Sequence, residues 1–247
     1  MPSAARLRDA DAYGMAGEIV KTRGIVLSIR PWSRTSHVVT WLTPDHGPVS
    51  TLVKGAVRPK SAFLGQYDLF YLCDLLYYAH AAGDLHALRE VAPIEMRDHL
   101  RGNWRATVLA GYAADLVREL APPGLEASPW FDFLDDFLAP APDAQHLSRL
   151  IRMETKLLDL AGLAPDFSGL DPAAPWTPFS LDSGRCGPGA RTVRISPRTV
   201  AAIKRPDAPD VRQNEKEDAA RFLGVFLSYH IERPPDIRRS LVHLLVT

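Results

Sequence analysis

Arg30, Trp32 and Arg34 lie within five residues of one another, and Lys54, Arg58 and Lys60 within seven. Cations spread along a path suit a polyanion, because each can neutralise one phosphate of a chain rather than converge on one point. An indole between two guanidinium groups could stack on a base while its neighbours hold phosphates. It could equally plug the end of a small barrel, surface Lys and Arg on strands also serve simply to keep strand edges soluble, and a barrel that binds protein only would make the chain an interaction scaffold. A second group of candidates is acidic. Asp132 and Asp136 share a helix face, with Asp135 beside them. Hard divalent cations use such oxygens, which would suit a metal-dependent nuclease or phosphodiesterase. The simpler reading of these carboxylates is a solvated face opposite a stripe of Trp130, Phe133, Leu134 and Phe137.

Other chemistry is not indicated. His37, His80, His86 and His99 are spread singly and form no paired metalloprotease pattern, and there is no phosphate-cradling Gly-x-x-x-x-Gly-Lys-[Ser/Thr] loop. Cys73, in an apolar run, and Cys186, in a Gly/Pro loop, make no disulfide framework. No cofactor and no metal are expected, and the chain reads as cytoplasmic. No run approaches the roughly 18 apolar residues that span a bilayer.

Lys+Arg and Asp+Glu each total 29 in 247 residues, so the net charge is zero. The distribution is uneven: Glu18 to Gly65 holds seven cations and two anions, whereas Asp115 to Gln145 holds seven acids and one base. Such asymmetry suggests an oriented partner surface.

The elements that must position these groups follow from periodicity. Strands are expected at Ile19 to Ile29, Val38 to Leu42, Val49 to Val53, Leu69 to Tyr78 and Leu85 to Ala92, with Pro44-Asp45-His46-Gly47 as a tight turn. Five strands in so short a stretch match an OB-fold, with an SH3-like barrel as the rival. Helices are expected over Trp104 to Leu120 and over Trp130 to Leu138 with Ser128 as N-cap. A third would begin at Asp143 or Ala144 and end at Gly162. A fourth would run from Ser196-Pro197 to Lys204, and a fifth over Lys216 to Ile231 with Asn214 and Glu217 as its capping pair. The fold class is therefore α+β: a five-stranded OB-fold barrel followed by an α-helical bundle, with no repeat and no second β-module. Residues 1–17 are expected to be a disordered lead-in, 18–96 the barrel, and 97–247 the helical domain with an irregular loop insertion at about 165–195.

Three pieces in register carry a resemblance. Trp32-Ser33 and Ser36 stand after the first strand, Thr43 and Gly47 in the hairpin, and Lys54-Gly55-Ala56, Arg58 and Lys60-Ser61 in the next loop. Together they resemble the amino-terminal domain of the bacterial RecO family of recombination mediators. Met153-Glu154, Leu157-Leu158, Gly162 and Pro165 resemble a signature of that family's helical domain. The resemblance extends from about Glu18 to Thr247. It implies a non-enzymatic protein of recombinational repair that binds single- and double-stranded DNA, with Arg30, Trp32, Arg34, Lys54, Arg58 and Lys60 as contacts. It further implies strand annealing, and recombinase loading onto DNA covered by single-strand-binding protein with a RecR-type partner, at the bacterial nucleoid. The chain departs from the family at a four-cysteine zinc element, because Phe167 to Ile195 offers only Cys186 and no imidazole. The run Pro234 to Ser240 also departs from the pattern before the last helix.

Overall fold

The structure, a computed structural model, describes residues 17–80, 83–140, 146–233 and 235–246. Residues 1–16 of the expected lead-in and the expected start of the third helix lie outside these. Strands β1 (Glu18–Pro31), β2 (His37–Thr43), β3 (Gly47–Val53), β4 (Leu72–Ala79) and β5 (Leu85–Glu95) form one sheet curled into a barrel of order β1-β2-β3-β5-β4. β1 is long enough to serve two neighbours. Its first half pairs with β4 and its second with β2, and a bulge between Val26 and Ser28 bends it between them. The seam between β3 and β5 is parallel and only three register pairs long, Ser50↔Leu85 to Leu52↔Ala87.

Strict alternation in β3 buries Gly47, Val49, Thr51 and Val53 on one face. The barrel core is built on Val26, Val39, Trp41, Val53, Cys73, Leu75 and Tyr77. Trp41 is fully buried, and its indole N–H is satisfied by the Thr51 hydroxyl at 2.8 Å.

After β5 come α1 (Trp104–Leu120), α2 (Ser128–Leu138) and α3 (His146–Leu160). Strands β6 (Thr177–Ser180), β7 (Arg185–Cys186) and β8 (Thr192–Ile195) follow, then α4 (Pro197–Lys204), α5 (Gln213–His230) and α6 (Arg238–Val246). Two compact units result, one of the described part of Met1–Asp98 with Ala121–Leu138, the other of His99–Leu120 with Ala139–Thr247.

Helix α2 thus packs with the barrel rather than with the bundle into which periodicity alone had grouped it. The hairpin turn holds it: Gly124 N–H donates to His46 O (2.9 Å) and Ala127 N–H to Pro44 O (2.7 Å). At Gly47, whose φ is +63°, a Cβ would lie 2.2 Å from the Pro122 carbonyl oxygen, so only glycine fits this approach. Arg97, 3% exposed, pairs with the Asp135 carboxylate and donates to the Asp135 carbonyl at 3.1 Å. The buried stripe of α2 is Trp130, Phe131, Leu134 and Leu138, one position round from the expected one, while Phe133 and Phe137 stack on each other. The helix also begins at Ser128, two residues before the expected Trp130, because the Ala127 carbonyl accepts the first helical bonds from Trp130 and Phe131.

Two further expectations are corrected in the helical unit. Residues 165–195 are not an irregular loop but hold a three-stranded sheet of order β7-β6-β8. Its four- and two-residue strands, interrupted by Pro and Gly, are too short to show a period of two. Phe179 of β6 packs in an aromatic cluster with Phe167, Phe222 and Phe226. At α5 the cap sits two residues earlier and is one-sided: the Glu215 carboxylate accepts from Arg212 N–H at 2.9 Å, while the Arg212 side chain has no acceptor to return the bond. Ser196 caps α4 as expected, accepting from Thr199 N–H at 3.0 Å.

Candidate nucleic-acid interface

Register places two loops at one end of the barrel. Pro31 pairs with His37 and His37 with Val53, so the turn after β1 and the connection after β3 leave from the same rung. The turn closes on itself: Trp32 N–H donates to Ser36 O at 2.9 Å and Ser33 N–H to the same oxygen at 3.3 Å. The buried Ser36 hydroxyl accepts from Gly55 N–H (3.3 Å), and Thr35 O accepts from Val57 N–H (3.4 Å). These two bonds clasp the loops together. Gly55 turns at φ +69°, and the chain then steps through Arg58 N–H to Gly55 O (3.1 Å) and Ser61 N–H to Arg58 O (2.9 Å). Ala56 is buried beneath this turn, so the charged residues around it point outward.

The rest of the connection is fastened to the core through Phe63 and Tyr67. Tyr67 shares a 2.9 Å hydrogen bond with His37 Nδ1 and meets Trp41 edge-on. Burial pushes the Tyr67 phenol up to about 12, so it stays protonated and able to hold this bond. The Tyr67–His37 pair, which motif reading missed, thus ties the connection to β2.

All six expected contact residues, Arg30, Trp32, Arg34, Lys54, Arg58 and Lys60, are exposed. Trp32 is 63% exposed and does not fill the barrel, a place taken by Trp41. Among the described residues, Arg30, Arg34, Arg58 and Lys60 make no ion pair, whereas Arg97, Arg118, Arg152, Arg185, Arg198, Arg221 and Arg238 each hold a carboxylate. The basic strip is not continuous, however. Arg23 lies seven residues back along β1, about 23 Å of strand at ~3.3 Å per residue, and its guanidinium sits 5.4 Å from the Phe131 ring centre on α2.

The acidic group does not assemble. Asp135 is committed to Arg97, while Asp132 and Asp136 are exposed on the solvated face of α2. Among the described residues no group of three or more His, Cys, Asp and Glu is placed to hold a metal ion. Cys186 is half-buried, and burial raises its thiol above the ordinary value. No described helix is long and apolar enough to cross a membrane.

Comparison with known proteins agrees in both units. Residues 15–97 match the family model for the recombination protein O N terminal, and residues 101–239 that for its C terminal. The chain is 29% identical over 242 residues to DNA repair protein RecO of Anaeromyxobacter dehalogenans strain 2CP-C, covering 90% of this chain and 95% of the relative. It is 30% identical over 251 residues, with the same coverage, to the protein of that name from Anaeromyxobacter sp. strain K. To that of Xanthomonas euvesicatoria it is 29% identical over 230 residues, covering 91% and 89%. Family models that together match residues 15–97, which hold the barrel strands, and residues 101–239 place this chain in the RecO family.

Proposed function

We propose that this chain acts in recombinational DNA repair as a mediator that binds single- and double-stranded DNA without catalysing a covalent step. The observation that carries this reading is the clasp of two loops, which presents Arg30, Arg34, Lys54, Arg58, Lys60 and the exposed Trp32 at one end of the barrel. Arg30, Arg34, Arg58 and Lys60, which make no ion pair among the described residues, are open to phosphates, and the counterions released from DNA on such contacts are the main source of sequence-independent affinity. Residues 18–96 would be the DNA-binding domain. The helical region would hold protein partners, in our reading a RecR-type mediator and single-strand-binding protein, within the cytoplasm at the nucleoid. Annealing needs only that cations neutralise two approaching strands, so no active site is required.

The test is a titration of a fluorescent oligonucleotide at rising salt. Replacing Lys54, Arg58 and Lys60 together by Ala is expected to weaken binding for every sequence. The slope of log affinity against log salt should flatten by ~0.7 per lost contact on single strands and ~0.9 on duplex. An unchanged slope removes this loop as the contact. The rival nuclease reading predicts magnesium-dependent cleavage that Asp136→Asn abolishes.

A further inference from the structure

Trp104 opens α1 with its side chain 50% exposed, whereas Trp41 and Trp130 are buried. An indole left half in water forgoes much of the burial that its large apolar surface could gain. The local fold does not need it inside. The buried stripe of α1 begins at Leu109, and the first turn is fixed by Asn103 instead. The Asn103 side-chain oxygen accepts from Ala106 N–H at 3.1 Å, and its carbonyl accepts from Thr107 N–H at 2.9 Å.

The surroundings of this indole are cationic. The Arg105 guanidinium lies 4.5 Å from the centre of a Trp104 ring, and among the described residues Arg105 is in no ion pair. From His99 to Ala114 the chain carries His99, Arg101 and Arg105 and no acid. His99, Arg101 and Gly102 are exposed. A Cβ at Gly102 would meet nothing within 4 Å, so the chain just before Trp104 stands clear of its neighbours. A guanidinium plane laid on an indole makes an extended stacking platform, and the guanidinium keeps N–H donors at its edge for a phosphate. Bases stack on both kinds of surface. A protein-binding hot spot would set the indole in a desolvated apolar patch, and the flanking Asn103, Arg105 and exposed cations are the opposite of one.

We propose that Trp104 and Arg105 form a second contact for single-stranded DNA, in the helical unit, stacking an unpaired base and holding the adjoining phosphate. The inference rests on the reading of this chain as a DNA-binding protein and extends it: the barrel loops hold one strand and Trp104 receives a base of another. It also gives the site a selectivity that loop cations lack. Stacking needs a base free of its partner, so a duplex gains nothing from Trp104.

The experiment uses the full chain with a fluorescein-labelled oligothymidylate and a duplex of equal length, both read by anisotropy. Trp104→Ala is expected to weaken single-strand binding at least about fivefold, the scale of one stacked base, and to leave duplex binding unchanged. Trp104→Phe keeps a stacking ring and should retain most of the affinity. Oligothymidylate should quench the indole emission of the parent, and part of that quenching should vanish in Trp104→Phe, a readout that does not depend on how Trp104→Ala folds. The same Trp104→Ala loss is expected on top of the Lys54, Arg58 and Lys60 triple variant. The proposal falls if Trp104→Ala binds oligothymidylate as the parent does, if it loses single-strand and duplex affinity alike, or if Trp104→Phe is quenched as fully as the parent. A triple loop variant that binds DNA like the parent would instead overturn the barrel reading, because the Trp104 comparison is made between its own pair of proteins.

Discussion

Trp32 stands on a turn whose backbone is closed by its own bonds to Ser36 and whose core contacts are made by other residues. Trp32→Ala should therefore leave the melting temperature in place while lowering single-strand affinity by ~1–3 kcal/mol, the scale of one stacked base. Equal affinity in a parallel oligonucleotide titration would show that the indole stacks on nothing. Glu154 lies at the other extreme. It is wholly buried, accepts from the Tyr112 hydroxyl at 2.7 Å, and is held by Arg238, whose Nη2 reaches its second oxygen at 3.0 Å. Burial pushes the Glu154 carboxyl up, and Arg238 and Tyr112 oppose that shift. Gly224 makes the pairing possible, since a Cβ there would sit 2.9 Å from the Arg238 guanidinium. Arg238→Ala leaves a buried carboxylate unpaired and is expected to cost ~3–5 kcal/mol in urea unfolding. A loss below about 1 kcal/mol would mean the pair is not closed in solution. Glu154 was visible in the sequence as part of a helical signature. Its partner, 84 residues on, was not, because nothing local links the two.

Among the elements, the barrel's thinnest seam carries its own pH dependence. His86 of β5 sits opposite Thr51 of β3, stacks on Tyr77 with ring centres 5.3 Å apart, and lies 6.5 Å from His80. Burial first, then the neighbouring His80, holds the imidazole below its ordinary value of about 6.5; His46 adds to this and Asp84 opposes it. A base whose folded value is depressed binds fewer protons in the native state than in the unfolded one. Its stability contribution is therefore complete above pH ~6.5 and declines as the pH falls through that value toward the folded one. Urea midpoints taken across this window should drop on acidification in the parent and drop less in His86→Gln; parallel curves would contradict the assignment. The β-elements were legible because their residues alternate or run apolar over five or more positions. The sheet at β6 to β8 escaped notice for the opposite reason: its order comes from Phe179 packing on Phe222 and Phe226 of α5, a contact that no local pattern announces.

For the whole molecule, a net charge of zero means that affinity for DNA must come from local field rather than bulk attraction. On the proposed reading, five contact cations, each displacing about 0.7 of a counterion on single strands, correspond to a salt slope of about −3.5. Annealing of complementary oligonucleotides is accordingly expected to proceed without nucleotide and to slow steeply with salt, in a stopped-flow quenching assay. A requirement for ATP, or annealing indifferent to salt, would exclude the charge-neutralisation account. The amino-acid sequence by itself determined the barrel, its hairpin corner, the caps of α4 and the identity of the loop cations. Each of these depends on residues close together in the chain, where periodicity, turn chemistry and composition act directly. Tertiary structure alone decided that the two basic loops are clasped into one surface while Arg23 is turned away to Phe131. It alone placed α2 on the barrel and paired Glu154 with Arg238. Those outcomes depend on which distant groups meet, and burial makes such meetings favourable only once the whole chain has folded around them.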